Sequence, residues 1–407
     1  MKIRSITYFS SPGDDLDQES INSAKIFYST AKSAFEADGY EVQTIRYATP
    51  PFPTFLDGLE NKQIISYASN LELTLQKVGY AYISLGPALP GHPESYKIIP
   101  DLIRATEGTF CSGLLTDTKG GVYLPAVRAC GEIIQRLSGQ DPDGFKNLYF
   151  AALGNVPPGA PFFPAAYAKA GPPTFSVAVE GADLAVNSFQ KTSTFEDARG
   201  SLIKEIEEHG KVISVISKEV EKATKTTYEG IDFSLAPYPD VDLSTGKALE
   251  SLGVPALGQH GSLAAAAFLA DTIDRAKFQR SGFSGLMLPV LEDAVLAEQA
   301  AQGNLSIKDL LLFSAVCGTG LDTIPLPGEI SAGQISAILM DLAALSLRLD
   351  KPLTARLMPI PGKKAGEPTS FDFSFFANSK IMDVKAGELA GPFLGDGYID
   401  LKPRPKS

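Results

Sequence analysis

The sequence predicts an α/β protein whose repeated strand-helix units close around one barrel. Three observations predict it: apolar periodicity alternates between that of strands and that of helices from the first residues onward, helices of ordinary length separate the strands, and no linker divides the chain.

Residues 2–9 (KIRSITYF) are β-rich, and after a polar turn Ile21, Ala24, Tyr28, Ala31 and Phe35 follow at helical spacing. The alternation continues with a strand at 41–47, a helix over about 58–77, a strand at 79–85, a helix over about 93–106, a strand near 108–115, a helix at 122–137 and a strand at 147–154. Strands separated by helices of that length run mostly parallel. Ser193 and Glu196 read as a capping box for a long helix over about 194–222, whose apolar stripe is Leu202, Ile206, Ile213, Ile216 and Val220. Next come a strand at 230–236, an Ala-rich helix near 262–276, a strand at 283–290, helices near 291–301, 306–316 and 331–348, and a strand at 353–359. That makes about nine or ten strands, more than the eight of the common barrel. Nothing of Gly/Ser or Pro-rich linker composition intervenes. Residues 1–369 are therefore expected to form a single β/α barrel domain, and 370–407 an irregular cover and tail.

A chain of 407 residues, 44% of them apolar, buries roughly three quarters of its unfolded surface and needs neither disulfide nor metal to hold a core. Lys and Arg total 36 against 47 Asp and Glu, and a net charge of −11 argues against a nucleic-acid partner. Cys111, Cys130 and Cys317 show no CxxC spacing and read as reduced thiols of a cytoplasmic protein. The opening MKIRSITYFSSPGDD turns polar too soon for a signal peptide. No apolar run reaches the roughly 18 residues of a membrane span, so no membrane association is expected. Self-association is left open.

Four segments could carry chemistry. Glu292 and Asp293 stand where a buried strand ends and a helix begins, the end of a barrel strand at which active sites gather, although acidic residues there also serve as helix caps. The stretch 315–329 is too rich in Gly and Pro for a helix and reads as an apolar loop carrying Cys317, Gly318, Gly320 and Asp322; its thiol is either an inert small hydrophobe or a nucleophile. Asp232, Ser234 and Tyr238 share one parity along an extended strand. His260 precedes Ser262, which could cap the Ala-rich helix and offer its first N–H groups to an anion. No GxGxxG fingerprint follows a strand, so no NAD is expected. Ser244-Thr245-Gly246-Lys247 lacks the upstream glycine of a phosphate loop. Only His92, His209 and His260 are available, without zinc-ligand spacing, which leaves a carboxylate-bound divalent cation such as Mg or Ca open.

Together with MKIRSIT at 1–7, VPPGAPFFPAAY at 156–167 and LMPIPGKK at 357–364, the stretches GIDFSLAP (230–237), GLMLPVLED (285–293) and CGTGLD (317–322) resemble, over essentially the whole chain, the family called domain of unknown function 711, or uncharacterised protein family 0210. Where relatives carry Pro-Gly-Asp, this chain has Pro327-Gly328-Glu329. The resemblance implies a ten-stranded β/α barrel with an inner hairpin loop, similar to pyruvate formate-lyase and other glycyl radical enzymes. It would place Cys317 where those enzymes keep a catalytic thiol. The glycyl radical motif is absent, the nearest text being Gly395-Asp396-Gly397-Tyr398-Ile399 without the preceding Arg-Val, so no stored radical is expected. Some family members are encoded beside small ACT-domain proteins, which implies a link to amino acids.

The expected function is that of a non-radical enzyme acting on a small polar metabolite in the barrel lumen. Cys317 would serve as thiol, Glu292, Asp293, Asp322 and Asp232 as acid/base groups or metal ligands, and His260, Ser262, Ser234, Gly318 and Gly320 as ligand contacts. The rival is a regulatory protein that kept the barrel and binds a ligand without catalysis. Close carboxylates in a confined site raise one another's pKa or recruit a cation.

Overall fold

The computed structural model describes residues 1–13, 15–117, 121–316 and 318–405. In chain order its strands are β1 (Lys2–Phe9), β2 (Ile45–Ala48), β3 (Tyr82–Ala88), β4 (Thr109–Leu114), β5 (Gly121–Tyr123), β6 (Phe150–Gly154), β7 (Thr174–Glu180), β8 (Thr227–Ala236), β9 (Gly320–Pro327), β10 (Leu353–Ile360) and β11 (Tyr398–Asp400). Nine of them form one sheet in the order β8-β7-β1-β2-β3-β4-β6-β10-β9, and β11 pairs with β5 in a separate small ladder. The sheet is parallel except at two joins, β7 with β1 and β6 with β10. Helices such as Gln18–Ala37, Asn61–Val78 and Ser95–Ala105 connect the parallel strands, as a crossover must. Residues 155–173 link β6 to β7 without a helix, and it is there that the strand direction reverses.

Several expectations shift in detail. Thr194, not Ser193, caps the helix Phe195–Thr224 by accepting from the Asp197 N–H. Both hydroxyls have an acidic residue three positions on, and the register that buries Ala198, Leu202 and Ile206 selects the second. In Gln18–Ala37 Phe27 is buried together with Phe35, while Tyr28 stands half-buried. β7 and the helix Ala182–Gln190 have no counterpart in the sequence reading.

Two corrections matter for the site. The stretch 315–329, expected as a loop, is a buried strand over Gly320–Pro327, paired in parallel with β10. Its prolines are tolerated because β9 is the last strand of the ladder, where missing N–H groups cost least. Conversely 283–290 is no regular strand: Gly282 and Ser284 take positive φ of 62° and 42° and interrupt it. The segment still forms single parallel bridges, Arg280 to Ile231 of β8 and Pro289 to Asp322 of β9, so it touches both outer strands of the sheet. The N–H groups of Met287 and Val290 donate to the carbonyls of Ser234 and Asp322 in the same two strands.

One apolar cluster runs from Ile3 to Met382. A smaller one, containing Phe371, Phe376, Leu148 and Met358, seats the start of the C-terminal cover. The helix Ala332–Leu349 is long and apolar enough to cross a membrane by length and composition alone; half of that stretch is buried inside the protein.

Gly320 opens β9 at φ 105°, and a Cβ there would lie 2.1 Å from the Thr354 carbonyl oxygen. Gly320→Ala is expected to lower stability by about 3 kcal/mol in urea denaturation. Gly91→Ala, whose added methyl meets nothing within 4 Å, should stay within about 0.5 kcal/mol of the parent.

Candidate ligand cavity and its charge network

Because β7 pairs antiparallel with β1, the start of β1 lies beside the ends of β7 and β8. Side chains from these strands and from β2, β3, β9 and β10 line a cavity of about 910 Å³, counting its open mouth. Its walls are largely aromatic, with Tyr82, Phe110, Phe162, Phe163, Phe373 and Phe375 among them. Apolar walls with a few converging polar groups are the ordinary form of a small-molecule site.

Arg356 of β10 dominates the polar side. Its Nε donates to Asp322 Oδ1 at 2.6 Å and its Nη2 to Glu292 Oε1 at 2.7 Å, a planar fork serving two carboxylates at once. The other oxygen of Glu292 accepts from Arg4 Nη2 at 3.2 Å, and Arg4 Nη1 reaches Glu180 at 3.4 Å. Gln43 completes the chain with a 2.7 Å hydrogen bond to Glu180. The network therefore runs from β9 and β10 through Glu292 to β1 and β7.

The backbone aims Asp322. Between Ala355 and Leu357 the β9-β10 register slips, so Asp322 and Thr323 together face Arg356, a β-bulge. Thr323 sits at φ 44°, a conformation that costs a β-branched residue about 1–3 kcal/mol and that clusters at functional sites. Its hydroxyl accepts from the Leu291 N–H at 3.3 Å, which ties the bulge to the turn carrying Glu292.

Burial pushes the Asp322 carboxyl up to about 6, with Arg356 pulling it back and Glu292 adding to the rise. Burial pulls Arg356 down, but Asp322 and Glu292 outweigh it and hold the guanidinium above its ordinary value. Burial likewise raises Glu180 against its bonds to Gln43 and Arg4. Asp232, also raised by burial, accepts from the Phe283 and Ser284 N–H groups at 3.0 and 2.9 Å and from the Ser234 hydroxyl.

Arg46 differs from the other two arginines. Its Nε donates to the Thr44 hydroxyl at 2.9 Å and its guanidinium lies over the rings of Tyr82 and Phe163 at 5.7 and 5.2 Å. Among the described residues no carboxylate forms an ion pair with it. Burial, with Arg4 adding like charge, pulls it down to about 9. Stacking contributes about 0.5–2 kcal/mol. Arg46 is only partly buried, and among the described residues no carboxylate adds to these ring contacts.

Of the residues singled out from sequence, Asp232, Ser234, Glu292 and Asp322 line this one cavity. Asp293 does not line it: its carboxylate caps the helix Ala294–Gln302, accepting from the Val295, Leu296 and Gly246 N–H groups and from the Ser244 hydroxyl. His260 lines a separate hollow with Phe195 and Arg199, and Ser262, the first residue of its helix, accepts from the Gly258 N–H. Gly318 and Gly320 shape the entry to β9 at positive φ without lining the cavity. Cys317 lies outside the described residues. Among those residues no group of three or more His, Cys, Asp or Glu side chains converges to hold a metal ion, and Asp322 and Glu292 are engaged by arginines instead. Sequence reasoning missed Arg4, Arg46 and Arg356. The available signal was a charged residue inside β-rich text, unusual where parallel strands are buried on both faces.

A mostly parallel nine-stranded α/β sheet bearing a charge-lined, aromatic-walled cavity defines the class of protein. Within that class, the chain belongs to the family described as uncharacterised ACR (DUF711), whose model matches residues 1–378. It is 29% identical over 379 residues to a UPF0210 protein of Methanococcoides burtonii, covering 89% of this chain and 83% of that one. To a UPF0210 protein of Pyrobaculum aerophilum it is 33% identical over 347 residues, covering 81% and 76%. A third UPF0210 protein, from Acetivibrio thermocellus, is 28% identical over 362 residues, covering 85% and 80%.

Asp293→Ala should lower stability by about 2 kcal/mol through loss of a buried cap, read by thermal or chemical unfolding. For Asp322, a folded pKa above the ordinary 3.8 means a contribution to stability fully present below 3.8 and lost as pH rises through about 6. The stability difference between the parent and Asp322→Asn should therefore change across that window and stay level above it.

Proposed function

We propose that this protein is a non-radical enzyme that binds a small polar metabolite in the cavity and moves a proton on it. The observation that carries this reading is the sharing of Arg356 by Asp322 and Glu292 at the cavity wall. A carboxyl poised near 6 can give or take a proton close to neutrality, as acid-base catalysis requires. Arg356 stays cationic throughout and compensates charge that develops on Asp322. Arg4 holds Glu292 from the far side and so positions the pair. Asp232 and Ser234 supply a second polar wall for the metabolite. The reading includes a cytoplasmic location and leaves Cys317 a contributor whose effect is measured separately.

The same reading takes the sheet as a closed, ten-membered barrel, in the manner of glycyl radical enzymes, with the segment Arg280–Val290 standing between β8 and β9 as an irregular tenth strand. The bridges at Arg280 and Pro289 support it, as do cavity walls drawn from both ends of the strand order.

A regulatory, ligand-binding role without catalysis is favoured by one observation: Asp322 and Glu292 are already ion-paired, a state that serves binding as well as chemistry. Incubating the purified protein with a cell metabolite extract and following depletion by mass spectrometry separates the two. Turnover should fall about 10²–10⁴-fold in Asp322→Asn and lose its ionisation near 6. Cys317→Ser, run beside it, reports whether the thiol takes part. Retention of a metabolite with no turnover in the parent protein would sink the enzyme reading and leave the regulatory one.

A further inference from the structure

Among the described residues, two polar groups on the cavity wall have donors or acceptors that no protein group answers. Among the described residues the Nη donors of Arg46 meet no acceptor, and only its Nε is used, toward Thr44. Ser5, fully buried and lining the same cavity, has a hydroxyl with no hydrogen-bond partner. The two belong together: Ile6 pairs with Ile45 across β1 and β2, so Ser5 and Arg46 flank one register position on neighbouring strands.

The pairing of the charges narrows what could satisfy them. Arg4 and Arg356 are shared among Glu180, Glu292 and Asp322. Asp232 takes its compensation from two backbone N–H groups and Ser234. Arg46 is the one arginine of the three with no carboxylate partner among the described residues, so it can match a single negative charge, while four carboxylates already face the three arginines. A dianion would be under-compensated beside Glu292 and Asp322. A fork of guanidinium donors beside a hydroxyl suits a carboxylate, accepting through both oxygens. Tyr82, Phe110 and Phe163 line the same cavity and give an apolar body an aromatic wall.

We infer that Arg46 and Ser5 anchor a monocarboxylate with an apolar, ring-sized body. This rests on the reading of the cavity as the working site and gives it a substrate class, while Asp322 and Glu292 face the rest of the molecule.

The experiment uses the full chain and three probes of one shape, namely benzoate, the neutral benzamide and phenyl phosphate, titrated by calorimetry. Benzoate should bind one to one, with the other two weaker by about tenfold or more. Arg46→Gln should weaken benzoate by about tenfold or more, Arg46→Lys by less, and Ser5→Ala by a few-fold. Ligand-free Arg46→Gln should melt at or above the parent temperature, since an uncompensated cation has been removed, which separates loss of the anchor from loss of the fold. If that variant does not fold, Ser5→Ala carries the test. Undiminished benzoate affinity in the Arg46→Gln or Ser5→Ala protein, tighter binding of phenyl phosphate, or no benzoate binding by the parent overturns the inference. Asp322→Asn, which removes a negative charge from the cavity, should bind benzoate no more weakly than the parent. Full turnover in that variant would fail the acid-base reading while leaving the anchor standing.

Discussion

The arrangement of the cavity depends on the guanidinium of Arg356. It neutralises Asp322 on the neighbouring strand and Glu292 on the turn before Ala294–Gln302, and through Glu292 it reaches Arg4 on β1. Strands far apart in the sheet order are joined by this one chain of charges. Removing a single member would leave a buried ion without its counterpart, which costs more than the intact network contributes. The network is therefore better understood as fixing positions than as supplying net stability.

Its cost is concentrated in one place. Thr323 is held at positive φ, Asp322 is kept from its ordinary ionisation, and Arg46, partly buried, lies over two rings with no carboxylate partner among the described residues. Such features persist where the surrounding structure over-determines them, and here a large apolar cluster running from Ile3 to Met382 does so. The C-terminal cover adds Phe373 and Phe375 to the cavity wall, the latter ring lying under Arg4 at 4.9 Å, so this irregular segment belongs to the site as well as to the fold.

Much of the architecture is legible in the residues because strand-helix order rests on local periodicity. The parity of Asp232 and Ser234 is legible for the same reason: residues two apart on a strand share a face, and both line the cavity. Glu292 and Asp293 were indistinguishable as text, adjacent carboxylates at one helix start. Packing separates them, since Asp293 turns to the N–H groups of its own helix and Glu292 to two arginines. The stretch at Gly320–Pro327 reads as a loop by composition and becomes a strand because β10 supplies its ladder.

By itself, then, the sequence determined most of the alternation of elements in the first half of the chain, the family, and which carboxylates were available. Only the tertiary structure decided that three arginines, at positions 4, 46 and 356, line one cavity, that two of them pair with those carboxylates, and that among the described residues the third has no carboxylate partner. Periodicity acts over a few residues and can be read along the chain. Coulomb compensation acts through space between strands hundreds of residues apart, and which charges meet is set by register and bulges that no local pattern records.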